Sequence, residues 1–284
     1  MRDNNLFSLL EADKKNLIND HEINNHSNNF KLSDYQNIST DIIKDTISKS
    51  LLQNPSNKIT GYEKFKHVEF IIGVTQFIDN LVMQYGIDGL QIFEHDYIYY
   101  KRLNPKIKFA QIGNLQSNKP LIISMPFAGH CDIHKNMKEI LSECLEKSIP
   151  VHLDCAWLPC AEGIDFNVNH PCIKSFASSL SKAYSLGWNR IGIRWSRTIE
   201  SNDSITIYNN FNMYNESLIK IGYHMVKKFP INFYWQKYRE IYYQGCRKSF
   251  VFPTKIIWLA KDMHGKLYGV SRLLEHLHNV GMSH

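Results

Sequence analysis

Apolar residues are unevenly spread along this chain, and their spacing divides it into three parts. Up to residue 57 the sequence is rich in Asn, Asp, Lys and Ser. Two short helical patterns, at 6–18 and 39–52, flank the polar run HEINNHSNN, which reads as loop or disordered chain. The first strong signal is HVEFIIG (67–73), a nearly continuous apolar run closing on Gly73, which predicts a buried strand. TQFIDNLVMQY (75–85) follows, with Phe77, Ile78, Leu81 and Val82 at helical spacing. LQIFEH (90–95) predicts a second strand, and LIISM (121–125), short and rich in β-branched residues, a fully buried parallel one. Beyond the loop PFAGHCDIH, a helix is expected at 136–147, with Met137, Ile140, Leu141 and Cys144 on one face. IPVHLDCAW (149–157), a shorter run at 172–177 and IGIRWSR (191–197) supply further strands. Strand, helix and strand in this order and at these lengths predict parallel α/β architecture with right-handed crossovers.

From Asn209 the pattern turns largely helical, at 209–229, 235–250 and again after Gly269. The expected organisation is a polar N-terminal arm over 1–57, a large α/β domain over 58–205 and a small, mostly helical C-terminal domain over 206–284. No internal repeat is visible.

The 284 residues include 43% hydrophobic and 12% aromatic side chains, enough for a sizeable core. The formal net charge of +6 is spread out, with no basic stripe that would point to nucleic acid. No apolar run approaches the length of a membrane span, and the polar start MRDNNLFSLLEADKKN lacks the apolar core of a signal peptide, so a cytoplasmic location is expected. Six cysteines in a chain of this length do not make a disulfide scaffold; they are expected as thiols. His130, Cys131 and His134, with Cys155 and Cys160 further on, would be the donors of a metal-dependent hydrolase. Their spacings match no zinc pattern, and no metal is expected.

The segment SFASSLSKAYSLGWNRIGIRWSR (175–197) carries the chemistry. Lys182 stands among small residues, Ser178, Ser179, Ser181 and Ala183, which permit close packing against something flat and bulky. A lysine in such a pocket loses hydration, its pKa falls, and the neutral amine can attack a carbonyl. Ser179 and Arg190 are suited to a phosphate, the arginine as a planar fork and the serine as a neutral donor. Asp154 falls at the end of the apolar run IPVHL, where ligands sit in an open parallel sheet. Gly73, Val74 and Thr75 open a helix whose backbone N–H groups can also receive a phosphate.

The pattern S-x-S-K followed by R-x-G, with D-C-A-W 28 residues before the lysine, resembles the cofactor-binding segments of fold-type-I pyridoxal-phosphate enzymes, the aspartate-aminotransferase superfamily. The resemblance covers roughly residues 65–200 and fades on both sides. It implies a three-layer α/β/α sandwich around a mostly parallel sheet, with a reduced C-terminal domain. It makes Lys182 the residue of the internal aldimine and the general base, and Asp154 the partner of the pyridine nitrogen. Gly73, Val74, Thr75, Ser179 and Arg190 become the phosphate site. Tyr97 falls where the family stacks an aromatic ring on the cofactor, with Tyr99 and Tyr100 as rivals. Two departures concern the ring hydroxyl. The family's tyrosine is Trp157 here, and the asparagine of its N-P-x-G turn is absent from the stretch Ser124 to His130, leaving Ser124 or His130 to substitute. Arg272 and Arg194 are candidates for the substrate-carboxylate clamp or, alternatively, for surface salt bridges. The family also implies a homodimer with a shared active site, to which Tyr62 would reach across or in which it would pack within its own arm. Transamination of an amino acid is the leading reaction. Decarboxylation, racemisation and elimination share its electron sink, and a regulatory binding protein that has kept the fold without turnover is the alternative.

Overall fold

The computed structural model describes residues 4–12 and 17–281. Ten helices and ten strands are formed among the described residues, besides short 3₁₀ turns. The helices are α1 (Asn4–Phe7), α2 (His21–Asn28), α3 (Thr40–Leu52), α4 (Gly73–Tyr85), α5 (Ile98–Leu103), α6 (Met137–Glu146), α7 (Ser204–Asn210), α8 (Glu216–Lys228), α9 (Phe233–Lys248) and α10 (Ser271–Gly281). The strands are β1 (Lys58–Thr60), β2 (His67–Ile71), β3 (Leu121–Ser124), β4 (Val151–Asp154), β5 (Asp165–Asn167), β6 (Ile173–Ser179), β7 (Gly192–Ser196), β8 (Phe252–Pro253), β9 (Leu259–Lys261) and β10 (Leu267–Gly269).

The central sheet has the order β2-β7-β6-β4-β3. Strands β3, β4 and β6 pair in parallel, whereas β7 is antiparallel to both β6 and β2. The sheet is thus mostly parallel, as expected. The exception has a local cause: the link from β6 to β7 contains no crossover helix to carry the chain back to its starting edge. That link holds Lys182 and Arg190.

Side chains alternate between two cores, which gives the three layers. Ile122 of β3 and Ala177 of β6 pack with Val74, Phe77, Ile78 and Leu81 of α4. Leu121, Ile123, Leu153, Phe176 and Ile193 point the other way, into a core shared with α3, α6 and α8. Trp195 of β7 stacks on Phe176 at 4.7 Å, and its indole N–H donates to the Ser48 hydroxyl of α3 at 2.9 Å. Burial of each such side chain is worth about 1.5–3 kcal/mol.

Several expectations need correction. The run HEINNHSNN is helix α2, not loop: Asp20 caps it by accepting from the Ile23 N–H at 3.0 Å, and Ile23 alone anchors it in the core. One buried residue in eight is too weak a period to read. Of the helix expected at 6–18 only the end of α1 is seen, and residues 13–16 of it lie outside the described residues. The run 90–95 contributes a single bridge, Gln91 to Leu121, instead of a strand. The C-terminal part adds an antiparallel sheet, β10-β9-β8, to its helices, and β1 pairs with β5 in a separate small sheet. These strands have two or three residues each, too few to establish a period.

Candidate active site

Strands β3, β4 and β6 direct their carboxyl ends to one edge of the sheet, and the end of β2, which runs the same way, lies there too. An open cleft of about 830 Å³ occupies that edge. Lys182, Asp154, Arg190, Thr75, Tyr97 and Trp157 all line it, as do Val74 and Ser179. Residues separated by more than a hundred positions in sequence meet here because most of them follow or end a strand.

Lys182 lies just beyond β6. Its Nζ is 4.1 Å from the centre of the Trp157 ring and 5.9 Å from that of Tyr97. Burial pushes the amine below the usual lysine range, against the opposing pull of the Asp154 charge. Asp154, only 4% exposed, ends β4. Its Oδ1 accepts from the Ala156 N–H at 2.9 Å, and its Oδ2 receives the Tyr100 hydroxyl at 3.4 Å. Burial pushes this carboxyl up, although Lys182, Ala156 and Tyr100 draw it down.

The other end of the cleft is built for an anion. Helix α4 begins at Gly73 without a side-chain cap, and the Arg190 guanidinium donates to the Thr75 hydroxyl at 2.7 Å. Gly73 has a φ of +70°, and a Cβ there would lie 2.9 Å from Arg190 Nη2. Glycine is therefore what lets the arginine lie against the helix start. Ser181 also lines the cleft, and its buried hydroxyl has no hydrogen-bond partner.

The remaining candidates are distributed differently. Tyr99 donates to Asp79 at 2.7 Å. Tyr100 is fully buried beneath the cleft with its hydroxyl on Asp154. Ser124 is occupied by Asp96, to which it gives both its N–H, at 3.0 Å, and its hydroxyl. His130 Nε2 lies 3.2 Å from the Ile133 carbonyl, and His134 Nδ1 accepts from the Asn136 N–H at 3.2 Å. Among the described residues no group of three His, Cys, Asp or Glu is placed to hold a metal ion, and all six cysteines are buried and outside any disulfide. Tyr62 packs against the main core.

Neither expected clamp arginine faces the cleft. Arg194 is not a surface residue: at 2% exposure it is ion-paired to Glu69, its cross-strand partner on β2, and to Asp203, and it donates to Thr206 at 2.9 Å. Arg272 pairs with Glu11 at 3.2 Å. The cations at the cleft besides Lys182 and Arg190 are Arg102 of α5 and Lys266 of the β9–β10 hairpin. Sequence reasoning missed these two, together with Asp96. The phrase E-H-D-Y before α5 contained the only hint, an acid next to the aromatic candidate Tyr97.

No protein-family model matches this chain, and no curated protein matches it in sequence. Solved structures do match it in shape. A tyrosine aminotransferase from Leishmania infantum is 12% identical over 98% of this chain and 96% of its own, with a TM-score of 0.63. A probable N-succinyldiaminopimelate aminotransferase from Thermus thermophilus is 13% identical, with coverage of 94% and 91% and a TM-score of 0.59. A PLP-bound C-S lyase from Staphylococcus hominis is 14% identical, with coverage of 90% and 76% and a TM-score of 0.60. The likeness is one of fold: this chain shares the overall fold of these two aminotransferases and this lyase.

Proposed function

We propose that the cleft binds pyridoxal phosphate and that the protein is an enzyme of amino-acid chemistry, an aminotransferase first of all. The observation that carries this reading is the pairing of a desolvated lysine with a buried carboxylate at the ends of adjacent strands. An anion cradle of Gly73, Thr75 and Arg190 shares the same cleft.

The donor set fits the cofactor. Asp154 is a buried carboxylate with no ion-pair partner within 4 Å among the described residues, and a protonated pyridine nitrogen would supply the missing cation. Arg190, Thr75, Ser179 and the uncapped start of α4 would hold the phosphate, and the unpartnered Ser181 hydroxyl is a further donor beside it. Tyr97 and Trp157 offer flat faces for the ring. When bound, pyridoxal phosphate supplies an electron sink for charge developing at a substrate carbon.

The chain's own residues then have distinct tasks. Lys182 Nζ, whose pKa burial lowers, is the amine that would take the cofactor's aldehyde carbon. With the cofactor bound, Nζ would also be the base that carries a proton to or from the substrate Cα. Asp154 would keep a proton on the pyridine nitrogen. The Trp157 and Tyr97 rings flank Nζ. Arg102 and Lys266, at the cleft without carboxylate partners among the described residues, are suited to the substrate's carboxylate.

The solved structures of this fold include aminotransferases, a C-S lyase and an L-threonine-O-3-phosphate decarboxylase from Porphyromonas gingivalis, so one cleft design serves several reactions. A second reading, binding without turnover, is favoured by Trp157, whose indole N–H donates but does not exchange its proton usefully. We also take the working form to be a homodimer, and two exposed apolar residues support this: Ile98, which lines the cleft, and Trp188, next in sequence to the lining residue Gly187. Borohydride reduction in the presence of pyridoxal phosphate, with the adducted lysine mapped by mass spectrometry, tests the proposal. A phosphopyridoxyl group on Lys182 is expected; an adduct confined to surface lysines would overturn it. A panel of amino acids with a keto-acid acceptor then separates turnover from binding alone.

A further inference from the structure

The cleft lining holds a second carboxylate, Asp96, that none of the assigned tasks uses. Three donors converge on it: the Ser124 N–H at 3.0 Å, the Tyr97 N–H at 2.7 Å and the Ser124 hydroxyl. Ser124 ends β3 and is the direct register partner of Asp154 on β4, and the Met125 N–H donates to the Asp154 carbonyl at 2.8 Å. The Tyr100 phenol from α5 closes the arrangement. It touches the Ser124 hydroxyl on one side and donates to Asp154 Oδ2 on the other. Asp96, Ser124, Tyr100 and Asp154 therefore form one chain of groups, buried except at the half-buried Asp96, with hydroxyls at its two middle positions and carboxyls at its ends.

From this geometry we infer that Asp96 is a positioning residue for Asp154, setting the charge and hydrogen bonding of that carboxylate through Ser124 and Tyr100.

The argument is one of proton supply. Each hydroxyl has one proton to give. While Asp96 is ionised it takes the Ser124 proton, and the Ser124 oxygen is left to compete with Asp154 for the proton of Tyr100. When Asp96 is neutral it no longer needs that donor. Ser124 can then give its proton to the Tyr100 oxygen, and Tyr100 gives its own to Asp154 alone. Like-charge repulsion acts in the same sense, because an ionised Asp96 disfavours an ionised Asp154. Burial and the Asp154 charge push Asp96 up to about 6, while its three donors draw it down. The switch thus falls in a pH range where both states are populated.

The other charged and titratable groups around the chain are few. Lys182 faces Asp154 from the segment after β6, and Arg190 faces Tyr97 from the same segment. Arg102 reaches Tyr97 from α5, and His95, exposed, adjoins Asp96 along the chain. None of these makes an ion pair with Asp96. The link to Asp154 is therefore the dominant one, and the two acids titrate as a coupled pair. Asp154 is the acid to which the proposed function gives the pyridine nitrogen, so the catalytic meaning of the coupling rests on that reading; the coupling itself does not.

The test is carboxyl ¹³C NMR of the full-length protein without added cofactor, titrated between pH 3 and pH 9. The Asp154 resonance is expected to show two inflections, one coinciding with the Asp96 midpoint. In D96N the inflection from Asp96 disappears and the Asp154 midpoint moves to lower pH. In S124A both acids remain, but the Asp96-linked response of Asp154 shrinks to what direct repulsion gives. A single Asp154 inflection in the unmodified protein, unresponsive to Asp96, overturns the inference without relying on any variant. Mapping of the borohydride adduct on the same preparation reports on the cofactor separately, so failure of one reading is distinguishable from failure of the other.

Discussion

Gly73 and Arg190 are in van der Waals contact across the start of α4, and the contact leaves no room for a methyl group. An ideal Cβ at Gly73 would sit 2.9 Å from Nη2 and 3.0 Å from Nε of the arginine. The backbone φ of +70° adds a second penalty, of about 1–2 kcal/mol for an alanine. Gly73→Ala should therefore lower the melting temperature modestly and weaken pyridoxal-phosphate binding by about tenfold or more, since a displaced guanidinium loses a charge-assisted hydrogen bond. Equilibrium titration checks this. Unchanged affinity would remove Gly73 and Arg190 from the phosphate site.

Lys182→Ala should leave the protein folded and abolish the reducible adduct. Turnover, where the native protein has it, should fall by at least about 10²- to 10⁴-fold. Lys182→Arg should be no better, because a guanidinium cannot give up its proton to attack a carbonyl. A mapped adduct that persists in either variant would assign the chemistry to another lysine.

For Asp154→Asn, kcat and affinity should part company. The amide keeps the shape and accepts from Ala156, but it cannot hold a proton on the ring nitrogen by charge. A fall in kcat on the order of 10²-fold is expected, with a much smaller change in cofactor affinity, since the phosphate contacts are intact. Equal losses in both would make Asp154 a holding group instead.

The central sheet was legible because its strands are four to seven residues long and almost wholly buried, so that they read as apolar runs, three of them with Gly73, Asp154 or Lys182 just at or beyond the end. Lys182, Asp154, Arg190 and Thr75 could be brought together from the sequence because fold-type-I order and spacing constrain them jointly. Arg194 could not be read in the same way: an arginine in an apolar strand looks like a ligand, and only the register with Glu69 and the arrival of Asp203 from α7 reveal an internal ion cluster. Asp96 was hidden for the opposite reason. Its partner Ser124 lies 28 residues on, across a loop and a helix with no regular spacing. Helix α2 depends on one cap and one buried isoleucine.

His152, on the same face of β4 as Asp154 and packed against Phe77 and Tyr85 of α4, predicts how stability depends on pH. The ring is buried, its Nδ1 meets the Ser175 hydroxyl at 2.7 Å, and its Nε2 has no partner. Burial, with the nearby charges of Arg194 and Lys174, pushes its pKa down to about 3 from 6.5. The unfolded chain therefore binds a proton below pH 6.5 that the folded chain refuses. Stability from this group is complete above pH 6.5 and is lost as pH falls toward 3, by up to about 5 kcal/mol. Denaturant melts between pH 7 and pH 4 should show a loss that His152→Gln reduces. A variant as acid-sensitive as the native protein would place the acid trigger elsewhere.

Trp188 carries the prediction about assembly. It is 98% exposed, in the segment between Lys182 and Arg190, beside Gly187 at the edge of the cleft. Ile98, 58% exposed, stands on the same rim. An indole open to water on all sides forgoes roughly 25 cal/mol for each Å² of apolar surface that a partner could cover, and a two-fold pair is the commonest way to cover it. Light scattering at micromolar concentration should give a homodimer, and its dissociation should shift the Trp188 fluorescence to longer wavelength. Trp188→Lys places two like charges near the axis and should raise the dimer dissociation constant, by about tenfold or more if the indole lies at the centre of the contact. Cofactor affinity should fall with it if the partner completes the cleft. A monomeric native protein that binds pyridoxal phosphate as tightly as the variant would show that one chain closes the site alone.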